Sequence, residues 1–244
     1  GIEAATHDLL AFTDADCRPP STWLATHAAA HAATETDTVM VGHSPVQGPG
    51  LLGAFARYEA MVAATYAAAA IGLGRPYMAV ARNLSYPRSV FENIGGFSSM
   101  SDTMSGDDDL FVQAVHSNDA AQIRPLYTAD ATVPTSAPSS WKDWWRQRRR
   151  HVSAGRYYNR GVALHLTLLH TSLIFLWISP LLLGLHGLGL LATGLLGRHA
   201  LLAPSASSLG TPDVLSGLPL WEAGYALYHL TVAPLGLLAP PDEW

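Results

Sequence analysis

Cysteine is almost absent from this sequence: Cys17 is the only one in 244 residues. A single thiol excludes an intrachain disulfide and any zinc site assembled from several cysteines, and it fits a reducing compartment. Charge is scarce too, and unevenly so. Residues 161–244 carry only Arg198, Asp213, Glu222, Asp242 and Glu243 as charged side chains, far below the ~25% typical of soluble domains. That shortage excludes an ordinary water-facing domain over the last third of the chain. The first residue is Gly1 rather than Met, and residues 1–8 have neither the basic start nor the apolar core of a secretory leader. The chain is therefore expected to begin inside a longer sequence, with upstream segments missing.

What charge there is concentrates in one place. Seven of the 14 Lys and Arg residues (Lys142, Arg146, Arg148, Arg149, Arg150, Arg156 and Arg160) fall within residues 141–160. With Trp141, Trp144, Trp145, Tyr157 and Tyr158 among them, they predict a basic amphipathic helix lying at a membrane surface. It leads into residues 161–197, a run of 37 without Asp, Glu, Lys or Arg. One membrane crossing needs ~20 apolar residues. Spans are therefore expected at about 161–180 and 182–198, with a third at 218–238 despite Glu222 and His229; the alternative is a pair of core helices in a soluble protein. Basic residues beside the first span place residues 1–160 in the cytoplasm. The expected organisation is a catalytic domain at 1–140, an interfacial helix at 141–160 and transmembrane helices beyond, in a multi-pass protein of the cytoplasmic membrane.

Within residues 1–140 the pattern is that of an α/β domain. Residues 8–13 form a short apolar run ending in Asp14-Ala15-Asp16, a buried strand that delivers carboxylates at its C-terminal end. Ligands bind there in open α/β sheets. Pro19 and Pro20 stop the strand, Ser21 is the expected N-cap, and residues 22–33 read as a helix. Further expectations are a strand at 39–43, a Pro/Gly loop at 45–50, an Ala-rich helix at 51–71 and a strand at 77–80. A helix at 89–94 is closed by Gly95-Gly96, another covers 110–116, and a Ser/Thr/Pro-rich linker occupies 132–140.

Three clusters can carry chemistry. Strand side chains alternate, so Asp14 and Asp16 project to one side. There they can share a hard divalent ion, the alternative being a solvated turn. Asp107-Asp108-Asp109 crowds three carboxylates that repel one another and raise one another's pKa, which suits a base working near neutral pH. The alternative is a helix N-terminus, where Asp is favoured by capping and the macrodipole. Gln147-Arg148-Arg149-Arg150-His151 offers guanidinium forks for phosphate oxygens, or a basic patch for anionic lipid. His27, His31, His43 and His116 lack paired ligand spacing and are expected at surface or helix positions.

In order, Thr13-Asp14-Ala15-Asp16, the stretch from Gly74-Arg75-Pro76-Tyr77 to Arg82-Asn83-Leu84, Gly95-Gly96-Phe97, Ser105-Gly106-Asp107-Asp108-Asp109-Leu110 and Gln147 to His151 resemble the family 2 glycosyltransferases. The likeness is to the membrane-bound branch that includes synthases of the cellulose and hyaluronan type. It implies an α/β domain of the GT-A type, here with its N-terminal part missing, followed by a small transmembrane helical region. It assigns a divalent cation, Mg2+ or Mn2+, and the diphosphate of a nucleotide-sugar to Asp14 and Asp16. The general base matches Asp108 best, with Asp107 and Asp109 as close rivals. Gln147 and Arg150 match the family's Q-x-x-R-W motif, with His151 where Trp is usual. Arg149 and Arg150 are expected to assist at the diphosphate, and Arg82 and Asn83 to lie at the pocket wall, the alternative for Asn83 being a structural turn. The implied reaction is inverting transfer of a sugar to a hydroxyl on a glycan or lipid-linked acceptor at the cytoplasmic membrane face, in contact with membrane lipids and without nucleic acid. The alternatives are a metal-dependent phosphohydrolase or nucleotidyltransferase, and a membrane scaffold without catalysis.

Overall fold

The apolar run before Asp14 forms strand β1 (Leu9–Phe12) in the computed structural model, which describes residues 1–97 and 105–239. The chain divides into two units, one of Gly1–Gln47 with Ala63–Ser136 and one of Gly48–Val62 with Ala137–Trp244.

The first unit is built on a mixed sheet. Strand β2 (Thr38–Gly42) is buried at all five positions, as a strand covered on both faces must be, and its apolar content follows from that. It pairs antiparallel with β4 (Leu84–Pro87) and parallel with β5 (Gln122–Leu126), while β4 pairs antiparallel with β1, Leu10 opposite Tyr86. The order is β1-β4-β2-β5. Strand β5 is an edge strand, which is why it tolerates Pro125. A two-residue strand β3 (Val46–Gln47) pairs with β6 (Thr135–Ser136) inside what the sequence suggested were a loop and a linker. Helix α1 (Trp23–Ala32) buries Trp23 and His27, one turn apart. Helix α3 (Arg88–Asn93) follows β4, and α4 (Asp107–Ser117) buries Leu110, Phe111, Val112, Gln113 and Val115. The Tyr86 ring lies between Phe12 at 4.9 Å and Phe111 at 4.3 Å, fastening β1, β4 and α4 together; burial of such a ring contributes ~1.5–3 kcal/mol.

Three local expectations are corrected. Residues 77–80 form no strand: the Ala79 N–H donates to the Asp109 carboxylate and the Tyr77 carbonyl accepts from Gln113, so side chains of α4 satisfy backbone groups that a sheet would have used. The strand falls instead at Leu84–Pro87, after a 3-10 turn at Ala81–Asn83. Thr22, not Ser21, stands at the start of α1, its hydroxyl donating to the Asp130 carbonyl at 3.0 Å. His43 is neither at the surface nor in a helix but buried, whereas His27 has the expected helix position, on the buried face of α1.

The second unit is helical. It contains the first part of α2 (Gly50–Gly72), then α5 (Trp141–Ser153), α6 (Arg160–Leu183), α7 (Leu185–Ser208) and α8 (Leu218–Leu238). Ser140 caps α5: its hydroxyl oxygen accepts the Asp143 N–H at 3.1 Å, and the Asp143 carboxylate accepts the Ser139 and Ser140 hydroxyls at 2.6 and 2.7 Å. Those bonds, with Arg146, hold the Asp143 carboxyl down at about 2. Successive residues of α2 point ~100° apart, and three in a row fasten three elements. Arg57 pairs with Asp213 at 2.8 Å, the Tyr58 hydroxyl donates to Glu222 of α8 at 2.6 Å, and Glu59 accepts Trp144 and a two-pronged contact from Arg148 of α5 at 3.1 Å each.

Among the described residues one helix, α6, is long and apolar enough to cross a membrane, with a mean hydropathy of 1.9. Helices α7 and α8 form where spans were expected but fall short, α7 through its glycines, Arg198 and serine-rich end, α8 through Pro219, Glu222 and His229. The multi-pass expectation is therefore not supported. Only 11% of the apolar window in α6 is buried, the opposite of a soluble core helix.

Candidate active site

Beyond Phe12 the chain turns back on itself, the Cys17 N–H donating to the Asp14 carbonyl at 3.0 Å. The turn gathers a carboxylate oxygen of Asp14, one of Asp16 and the Cys17 sulfur within 4.8 Å of one another. Both aspartates are exposed and the thiol is half-buried; burial pushes the thiol up, while Thr135 and Arg82 draw it down. Two hard oxygens, a softer sulfur and an open side are a donor set that suits a divalent cation sharing its remaining positions with water and phosphate.

The later acidic cluster is aimed by Gly106. Its φ of 82° is left-handed backbone that glycine adopts without strain, and it turns the chain directly into α4, with all three aspartates in the first helical turn. There the macrodipole favours negative charge. Asp108 accepts the Ala81 N–H at 2.9 Å through Oδ2 and the Asp109 N–H at 3.0 Å through Oδ1, while Asp109 accepts the Ala79 N–H at 3.2 Å. Asp107 is exposed. Burial pushes the Asp108 carboxyl up to about 6 against the pull of the Ala81 N–H, and the neighbouring Asp107 charge raises it further. A base with that value is ionised at neutral pH and still basic enough to take a hydroxyl proton.

The two acidic clusters, far apart in sequence, meet adjacent residues of one turn. Ala81 binds Asp108, and the Arg82 guanidinium lies 3.6 Å from Asp14. Asn83 fixes that turn. Its amide donates to the His43 and Ala131 carbonyls at 2.7 Å each, and its oxygen accepts from Trp23 at 3.0 Å and contacts His27 Nε2 at 3.1 Å. Gly42 is required beneath it, because a Cβ there would collide with the Asn83 amide. Asn83 is thus a buried structural hub, while Arg82 faces the carboxylates.

Arg82 also donates through Nε to Ser44 at 2.9 Å, and the Ser44 hydroxyl donates to the Val133 carbonyl at 2.6 Å. Neither Ser44 nor Cys17 was singled out for the site. Cys17 could have been found by its place next to Asp16; nothing in the sequence distinguishes Ser44.

Gln147, Arg149 and Arg150 belong to the second unit, on α5. All three are half-buried. Arg149 donates to the Ala239 carbonyl at 2.5 Å, and Arg148 is taken by Glu59.

The model of the Glycosyl transferase family group 2 matches residues 12–204, a stretch holding both acidic clusters and Gln147 to His151. No curated protein matches the chain.

Proposed function

We propose, because this chain belongs to glycosyl transferase family group 2, that it moves the sugar of a nucleotide-sugar donor onto a hydroxyl of a glycan or lipid-linked acceptor in one inverting, metal-dependent step at the cytoplasmic face of a membrane. Family membership makes it a glycosyltransferase, which removes the phosphohydrolase, nucleotidyltransferase and scaffold alternatives. The observation that carries the finer reading is the convergence of Asp14 and Asp108 on Ala81 and Arg82.

Asp14 and Asp16 would hold the cation, with Cys17 beside them. When bound, Mg2+ or Mn2+ supplies positive charge to the diphosphate leaving group. Arg82 adds a guanidinium for the same oxygens. Asp108 takes the proton from the acceptor hydroxyl as that oxygen attacks the anomeric carbon from the face opposite the diphosphate. Asp107, at its side, keeps its basicity up, and Asp109 holds the Ala79 backbone. Donor contacts from Gln147 and Arg150 rest on their motif; Arg149, engaged with Ala239, is a lesser contributor. Residues 1–140 are assigned the catalysis, residues 141–160 an interfacial position, and α6 the membrane span. The low burial of α6 and the exposed Trp141 and Trp145 support that division.

The test is to incubate membranes containing the complete protein with a panel of labelled sugar nucleotides. Glycoside formation from one donor, lost with EDTA and restored by Mn2+ or Mg2+, is expected. Transfer undiminished by EDTA would remove the metal role of Asp14 and Asp16.

A further inference from the structure

Arg82 stands where a cation belongs. Its Nη1 lies 3.6 Å from Asp14 Oδ2, beside the turn whose three donor atoms lie within 4.8 Å of one another. The ion pair alone does not put it there. Ser44, only 5% exposed, accepts from Arg82 Nε at 2.9 Å, and its own proton is committed to Val133 at 2.6 Å, so its oxygen is held as an acceptor. The backbone is pinned on both sides, through Ala81 on Asp108 and through the bonds of the Asn83 side chain. The guanidinium therefore keeps one edge on Ser44 and presents the other to Asp14.

We propose that Arg82 is a resident counter-ion that competes with the divalent cation for Asp14 and gives way when a diphosphate arrives to take up its charge, with Ser44 as the residue that positions it between the two. This rests on the reading of Asp14 and Asp16 as the metal's holders. A free divalent ion must displace the guanidinium and then sit beside an uncompensated positive charge, a repulsion that solvent at this half-exposed pair screens only in part. A diphosphate removes that penalty, because Arg82 can pair with its oxygens. The two ligands then help each other: whatever factor the diphosphate adds to metal affinity, the metal adds to diphosphate affinity. The site discriminates against free metal and favours metal together with diphosphate.

Two binding measurements on the complete, detergent-purified protein separate this from an ordinary phosphate contact. Mn2+ alone is followed by the electron paramagnetic resonance of the free ion; 32P-labelled pyrophosphate is followed by equilibrium dialysis at saturating Mn2+. In Arg82→Gln, Mn2+ alone binds roughly twofold to fivefold more tightly, as for release of a half-exposed ion pair, while pyrophosphate binds about tenfold more weakly. Ser44→Ala shifts both in the same directions by less, and Ser44→Thr, which keeps the hydroxyl, restores wild-type values. The opposite signs are decisive, since a damaged fold weakens both. Mn2+ binding that is unchanged or weaker in Arg82→Gln, with wild type binding it, overturns the counter-ion role alone. No Mn2+ or pyrophosphate binding by wild type or variant overturns the metal reading, and the counter-ion role with it.

Discussion

The two units place their polar groups in opposite ways. In the first, the carboxylates of Asp14 and Asp16 are outside and the buried network around Asn83 is neutral. Asn83 Oδ1 must accept, because Trp23 Nε1 can only donate, so His27 donates to it through Nε2 and accepts the Ser85 hydroxyl through Nδ1 at 2.7 Å. Ser85 in turn accepts from His31 at 2.8 Å. Burial lowers the pKa of His27 and His31, which keeps the chain uncharged. In the second unit the leucines are outside, with Leu181 at 87% and Leu185 at 84% exposure, and charge is inside: Glu222 is fully buried against Arg198 at 2.6 Å. Glu59 is buried against Arg148. A unit facing water buries neutral networks and spends charge on its surface; one facing lipid turns its ionisable groups inward and pairs them. The second unit's arrangement is the one that the membrane position proposed for α6 would favour.

The sharpest break in that comparison is at the acidic chemistry of the first unit. Asp108→Asn removes the proposed base while keeping its size, and sugar transfer should fall by at least about 10²–10³-fold, read as kcat with one labelled donor. Wild-type kcat should decline as pH falls through about 6, where Asp108 takes up a proton. Transfer at a near wild-type rate in Asp108→Asn would sink the assignment. Next in size is the interior of the second unit. Glu222→Ala leaves Arg198 and Tyr58 without their shared acceptor and should destabilise by about 3–5 kcal/mol, measured by thermal unfolding in detergent. Asn83→Ala, in the neutral interior, breaks the contacts to Trp23, His27, His43 and Ala131 and should cost about 2–4 kcal/mol. If Asn83→Ala proved the costlier, the contrast between neutral and ionic interiors would have no energetic content.

The elements that carry the acidic clusters were legible in sequence, because each has a local cause. β1 is an apolar run stopped by prolines, and α4 is an apolar repeat behind Gly106 and three aspartates. The apolar helices were legible by composition, but not their ability to span, which depends on a few residues such as Arg198 and Glu222. What sequence could not show was set by distant partners. Ser85 looks too polar for a buried strand until His27 and His31 arrive beside it, and residues 77–80 look like a strand until α4 takes their hydrogen bonds. The Asp14-Ala15-Asp16 tripeptide was visible and Arg82 was expected at the pocket wall, whereas the pairing of Arg82 with Asp14 and the serine that accepts from its Nε are set by distant parts of the fold.

The smallest expected effect is also the one that tests the neutrality of the first interior. His43 is buried, its ring 5.6 Å from Tyr127, and its Nε2 has no hydrogen-bond partner; burial lowers its pKa from 6.5 to about 4. A proton taken up there would be a buried charge without an acceptor, so the unfolded chain gains it first. The stability due to keeping His43 neutral is fully present well above pH 6.5 and is lost as pH falls through 6.5 toward 4, by about 1.4 kcal/mol at pH 5.5. His27 and His31, shifted the same way, add to the slope. His43→Leu should flatten the pH dependence of the melting temperature over that window while leaving stability at pH 7.5 within about 1 kcal/mol of wild type. An undiminished slope in that variant would mean that the folded state accommodates a proton at His43, and that the interior of the first unit tolerates charge after all.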